Sequence, residues 1–192
     1  MTSTRRIVLF ALPAVVLAVA GLFHPHSLTY SSAQRWTLLH VAGLLVFPLV
    51  GLALAGLVAG RRDPVAWLVR LTAYGYATAY SALDVISGIG AGYVTWRLGE
   101  GAARPDEVRF LFAIGGRIGD VGSLALVACA MVITLDAVRR LGVRGLWGSG
   151  IVAGAWLVHV DHIFAPTVVA GMALVALGTA LLASIRPESA GS

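Results

Sequence analysis

The sequence predicts an all-α, polytopic membrane bundle of about six transmembrane helices, forming one integral domain over 1–192 with both termini in the cytoplasm. Three observations carry that expectation. The 192 residues are 58% hydrophobic and 12% charged, with a mean hydropathy of +0.87, a balance foreign to water-soluble globules. A bilayer crossing needs about 20 mostly apolar residues, and such stretches fall at about 6–23, 37–60, 65–90, 110–138, 146–165 and 167–185. All 14 basic residues are arginine, and Arg5, Arg6, Arg61, Arg62, Arg70, Arg139, Arg140, Arg144 and Arg186 fall at alternate ends of those stretches. That is the positive-inside pattern, and it leaves Arg35, Arg97, Arg104, Arg109 and Arg117 near the outer side.

The first stretch, with Arg5 and Arg6 before an apolar run and "AVAG" at 18–21, fits an uncleaved helix. It also fits a signal peptide with a small-residue cleavage site, which would leave five spans. The outer loop "HPHSLTYSSAQRW" (24–36) leads into the second, and "GRRDP" (60–64) turns the chain into the third, with Pro64 suited to a first helical turn. The third is longer than a bilayer requires, and "SGIGAGY" (87–93) either continues it or breaks it. A second outer loop, "TWRLGEGAARPDEVRF" (95–110), carries Glu100, Asp106 and Glu107 near a helix start at Pro105, where acids complement the helix dipole. The turn "RRLGVRG" (139–145) separates the fourth stretch from the fifth. Trp36 and Trp96 fall at outer boundaries, Trp67 and Trp147 at inner ones. Gly88 with Gly92, and Gly115 with Gly119, have the spacing that lets helices approach closely.

With the arginines placed at membrane boundaries, the sequence pI of about 10.1 has no basic stripe left for a nucleic acid. Cys129 is the single cysteine, so no intramolecular disulfide forms. The partners expected are the bilayer and a lipid or other small molecule at the outer face; the chain is integral to the cytoplasmic membrane and multi-pass.

The polar residues inside apolar stretches carry the functional expectation. "WLVHVDHIFAP" (156–166) places His159, Asp161 and His162 in the fifth stretch. His159 lies roughly 20 Å and His162 roughly 25 Å above the cytoplasmic start of that stretch near Gly145, and a spacing of three puts them on one face. His24 and His26 follow the first stretch, His40 lies just below Trp36, and Asp84 and Asp120 fall in the outer parts of the third and fourth. Each alone has an ordinary explanation in a hydrogen bond to a neighbouring helix. Jointly they bring a histidine or carboxylate from five stretches to one depth. His40, Asp84, His159 and His162 form the expected core of the site, with His24 and His26 as further metal ligands or a rim. Arg117 either pairs with Asp120 along the helix or orients an anionic substrate while Asp120 supports a ligating histidine. Tyr76 and Tyr80 either line the pocket or pack.

Imidazoles with a carboxylate suit zinc among other metals. A zinc ion with an open position lowers the pKa of bound water toward 7, and Asp84 or Asp161 would then take the proton. The expectation is a zinc-dependent membrane hydrolase. Over these few residues the chemistry resembles the membrane hydrolases that include alkaline ceramidases and adiponectin receptors, which hold zinc with histidines and water beside a carboxylate. The chain departs from that family in having about six stretches rather than seven, in the H-x-x-H spacing of "HVDH" where the family has H-x-x-x-H, and in the distance from Ser32 to His40; the likeness is one of chemistry only. Haem b held by His40 with His159 or His162, as in a redox subunit, is one alternative. The others are transport, and a cofactor-free assembly subunit whose polar groups bond helix to helix.

Overall fold

A computed structural model describes residues 3–100, 106–162 and 165–185. Arg104, Pro105, Arg186 and residues 163–164 of the fifth stretch lie outside the described residues. Among the described residues the chain is all-α and forms five continuous helical runs. Helix α1 spans Ser3–Leu22, α2 Tyr30–Gly56 and α3 Pro64–Leu83; a π-helical segment, Asp84–Gly90, leads without a break into α4, Ala91–Leu98. Helix α5 spans Asp106–Leu141, a 3-10 segment covers Gly142–Gly148, α6 spans Ser149–Asp161 and α7 spans Thr167–Ser184.

Local chemistry sets the starts. The backbone N–H of Thr29 donates to Ser32 Oγ at 2.9 Å at the entrance to α2. Asp63 caps α3 by accepting from the Ala66 N–H at 3.1 Å, with Pro64 in the first turn. Asp106 and Glu107 stand in the first turn of α5. At 87–93 the helix neither breaks nor turns: it widens into the π-helical segment and continues.

Four helical runs are long and apolar enough to cross a membrane: Thr4–Leu22, Tyr30–Gly56, Asp106–Asp161 and Thr167–Ser184. This multi-pass pattern corrects the expectation of six spans at two points. The third stretch is helical, but Thr72, Tyr74, Tyr76, Thr78, Tyr80 and Ser81 dilute its apolar character. The fourth and fifth stretches belong to one 56-residue run, within which α6 has 13 residues. At 1.5 Å per residue α6 is about 20 Å long, short of a hydrocarbon core about 30 Å thick. It folds back along α5: Gly148 packs on Thr134, and His159 bonds to Ser123.

Helix α1 packs on α7, α3 on α5, α6 on α7 and α2 on α3. Leu54, Val69, Tyr76, Leu126 and Ile151 are fully buried between them, while Leu38, Leu45, Leu71 and Val121 face outward. An apolar exterior of this kind associates with lipid. Arg6, Arg61, Asp136, Arg140 and Ile185 meet at one end of the bundle, and His24, His40, Asp84, His162 and Val168 meet toward the other. Trp36 is turned into the bundle rather than toward lipid. It is buried, and its indole N–H donates to the Ser87 carbonyl at 3.2 Å.

Candidate functional site in the polar pocket

The site begins with two glycines that let two polar side chains cross between helices. A side chain on Gly88 would collide with the His40 ring, so the π-helical segment makes room for that imidazole. A Cβ on Gly43 would come 2.5 Å from Asp84 Oδ2, so α2 in turn makes room for the carboxylate. Asp84 is the first residue of the π-helical segment, a distortion frequent where a helix carries function. His40 is 6% exposed and Asp84 2%.

His40 donates its Nδ1–H to the Trp36 carbonyl at 2.7 Å. That fixes the tautomer and leaves Nε2 as an acceptor. Nε2 lies 3.9 Å from Asp84 Oδ1, and Asp84 Oδ2 is buried with no hydrogen-bond partner among the described residues. An imidazole acceptor and a buried carboxyl therefore stand close together without a hydrogen bond in an apolar surround, where an uncompensated polar atom is costly. The His24 ring is 5.1 Å from the His40 ring, centroid to centroid, and its Nδ1–H donates to the Pro25 carbonyl at 2.8 Å. Burial, then the repulsion that protonating both His24 and the neighbouring His40 would bring, push the His24 imidazole down to about 4, so it is neutral near pH 7.

These three residues and His162 line one cavity of about 80 Å³ between α1, α2 and α7. Its other walls are apolar, including Leu17, Leu39, Phe47 and Met172. A few polar groups converging on an apolar wall are what a small-ligand site requires, and the volume holds a small group or a few waters.

His159 and His162 serve a second cluster. The His159 Nδ1–H donates to Ser123 Oγ at 2.8 Å, and the Ser123 hydroxyl donates to the Asp120 carbonyl at 3.0 Å. His162 donates Nε2–H to Asp120 Oδ1 at 3.1 Å, and its Nδ1 is 3.5 Å from the Tyr80 hydroxyl. Asp120 is thus bonded to His162, just past the end of α6, rather than to Arg117, which is exposed. Asp161 stands at the end of α6 and is not part of the pocket wall. His26 lies on the exposed loop and lines a separate hollow with Ser32 and Arg35. Tyr76 and Tyr80 are buried and pack on each other and on Phe47.

The sequence expectation missed Gly43, whose role is visible only once α2 and α3 are paired. It also missed Ser123, whose bond to His159 spans 36 positions. Among the described residues no three His, Cys, Asp or Glu side chains are already arranged to hold a metal ion. No family model matches the chain, and no curated protein or solved structure matches it significantly.

Proposed function

We propose that the chain is a multi-pass membrane protein that holds a divalent cation, zinc by the chemistry of the donors, at the His24, His40 and Asp84 end of the pocket, where it serves as a hydrolytic centre. The observation that carries this reading is that His40 Nε2, left as an acceptor by the Nδ1–H bond to the Trp36 carbonyl, faces the buried Asp84 carboxyl at 3.9 Å with no hydrogen bond between them. A cation satisfies both, and the Trp36 carbonyl behind His40 is the kind of outer partner that orients a metal-ligating imidazole. Bound zinc supplies a water deprotonated near neutral pH. The apolar walls of the cavity suit a substrate that arrives from the lipid. The arginine end faces the cytoplasm by the positive-inside rule, which sets the pocket in the outer half of the membrane.

Haem b has less support, because His159 is turned to Ser123 and the cavity of about 80 Å³ is small for a macrocycle. The bonds of His159 to Ser123 and of His162 to Asp120 favour one second reading, in which the polar groups bind no cofactor and lock helices together.

Elemental analysis of the detergent-purified, tag-free protein separates the two. The zinc reading expects about one zinc per chain, lost in both His40→Ala and Asp84→Asn while each variant remains folded. A wild type without metal after reconstitution, or variants that keep it, sinks the zinc reading and leaves the helix-locking one.

A further inference from the structure

The opposite end of the bundle holds a larger cleft, about 530 Å³, walled by the first turns of α1, the end of α2 and the ends of α5 and α7. Three arginines line it: Arg6, Arg61 and Arg140. Arg61 is already committed, donating from Nε to Asp63 at 2.8 Å and from its terminal nitrogens to Asp136. That bridge consumes Asp136, the one carboxylate on the cleft wall. Arg6 lies over the Phe10 ring, 5.6 Å from its centroid, and Phe10 in turn rests against Gly56. Arg140 is exposed and has no carboxylate partner among the described residues. Behind the guanidinium groups the wall is apolar, with Leu57, Ile133, Leu182 and Ile185 running toward the bundle interior.

Two guanidinium groups with no carboxylate partner among the described residues, above an apolar wall at the end of membrane-length helices, describe a ligand with an anionic head and a hydrocarbon body. We infer that this cleft is a binding site for an anionic phospholipid, the phosphodiester held between Arg6 and Arg140 and an acyl chain laid along Leu57, Ile133 and Leu182. Arginine suits a phosphate because its planar fork donates two parallel hydrogen bonds, and basic pockets between transmembrane helices are a recurrent form of headgroup recognition. Arg61 is the positioning residue: by tying Asp136 to Asp63 it keeps the α5 carboxylate away from the incoming phosphate. The inference is independent of the metal reading, since no residue is shared between the cleft and the pocket.

The test is competition between lipids in nanodiscs, read by native mass spectrometry of the intact protein. Phosphatidylglycerol should be retained over phosphatidylcholine. Arg6→Gln and Arg140→Gln should each lower that preference about fivefold, the weight of one basic residue near a lipid surface. Arg62→Gln removes the same charge from the same end outside the cleft and should leave the preference unchanged. Equal retention of the two lipids overturns the site. So does an equal loss in Arg62→Gln, which would mark diffuse surface attraction, or complete displacement by millimolar inorganic phosphate, which would mark a free-anion site. Circular dichroism of each variant verifies the fold.

Discussion

The imidazole of His40 occupies the space that a side chain on Gly88 would need. An alanine there would force the ring out of its bond to the Trp36 carbonyl or push α2 from the π-helical segment. Overpacking of this kind costs about 1–3 kcal/mol. Gly88→Ala should melt below the wild type in detergent and, on the zinc reading, should hold less zinc than the wild type as the His40 geometry is lost. A variant with wild-type melting and metal content would show that the ring has other room.

Asp84→Asn separates the cost of the carboxylate from its use. The asparagine keeps the shape while removing a buried carboxyl whose Oδ2 has no partner among the described residues, so the metal-free variant should be about as stable as the metal-free wild type. Zinc should then discriminate. At 100 times its dissociation constant a ligand stabilises the folded state by about 2.7 kcal/mol, so zinc should raise the melting temperature of the wild type and leave Asp84→Asn unmoved. Equal shifts in both would remove Asp84 from the site.

The arginine end offers a pH test outside the membrane spans. Hydrogen bonds from Arg61, then the Ala66 N–H, hold the Asp63 carboxyl down to about 2, and the two aspartates raise the Arg61 guanidinium above its ordinary value. A carboxyl depressed on folding contributes stability that is present above its unfolded value, about 3.9, and is lost as pH falls through the folded one. Melting temperature should therefore be insensitive to this group above pH 4 and should fall between about pH 4 and 2. In Arg61→Gln the Asp63 value should return toward the ordinary range, which carbon-detected NMR of the carboxyl would read directly. An Asp63 titration that stays near 2 without Arg61 would assign the shift to the helix cap alone.

The membrane-length helices and the gathering of polar residues toward one end of the bundle were legible because they rest on composition and on helical rise. Hydropathy located the long apolar helices, and counting residues from the arginine end put His40 and Asp84 at one depth. Pairing was not legible. His159 and His162 share a face by spacing, yet their partners, Ser123 and Asp120, are set by how α6 folds back on α5. Arg117 is three residues from Asp120 and does not bond it; Asp120 is met instead by His162, from the end of α6. The number of spans failed for a related reason: a window of hydropathy sees an apolar stretch, not that α6 is a short return arm of the α5 run. The inward turn of Trp36 was not legible, because a lipid-facing tryptophan and one buried under a π-helical segment look alike in one dimension.

That return arm supplies the last prediction. Where α6 meets α7 the backbones nearly touch: a Cβ on Gly171 would lie 2.9 Å from the Gly154 carbonyl oxygen, and a Cβ on Gly154 would overlap the Gly171 carbonyl oxygen. A backbone atom cannot rotate aside as a side chain does, so Gly154→Val and Gly171→Val should each separate α6 from α7 and cost at least the upper part of the 1–3 kcal/mol typical of overpacking. Gly116→Val is the control, because nothing lies within 4 Å of the added Cβ and the change should stay within about 0.5 kcal/mol. Equilibrium unfolding in mixed micelles measures all three. If the two close-contact variants unfold like Gly116→Val, the glycine contact does not hold the arm. If they unfold earlier and the His159 to Ser123 bond loosens with them, α7 is what keeps the histidines of α6 against α5.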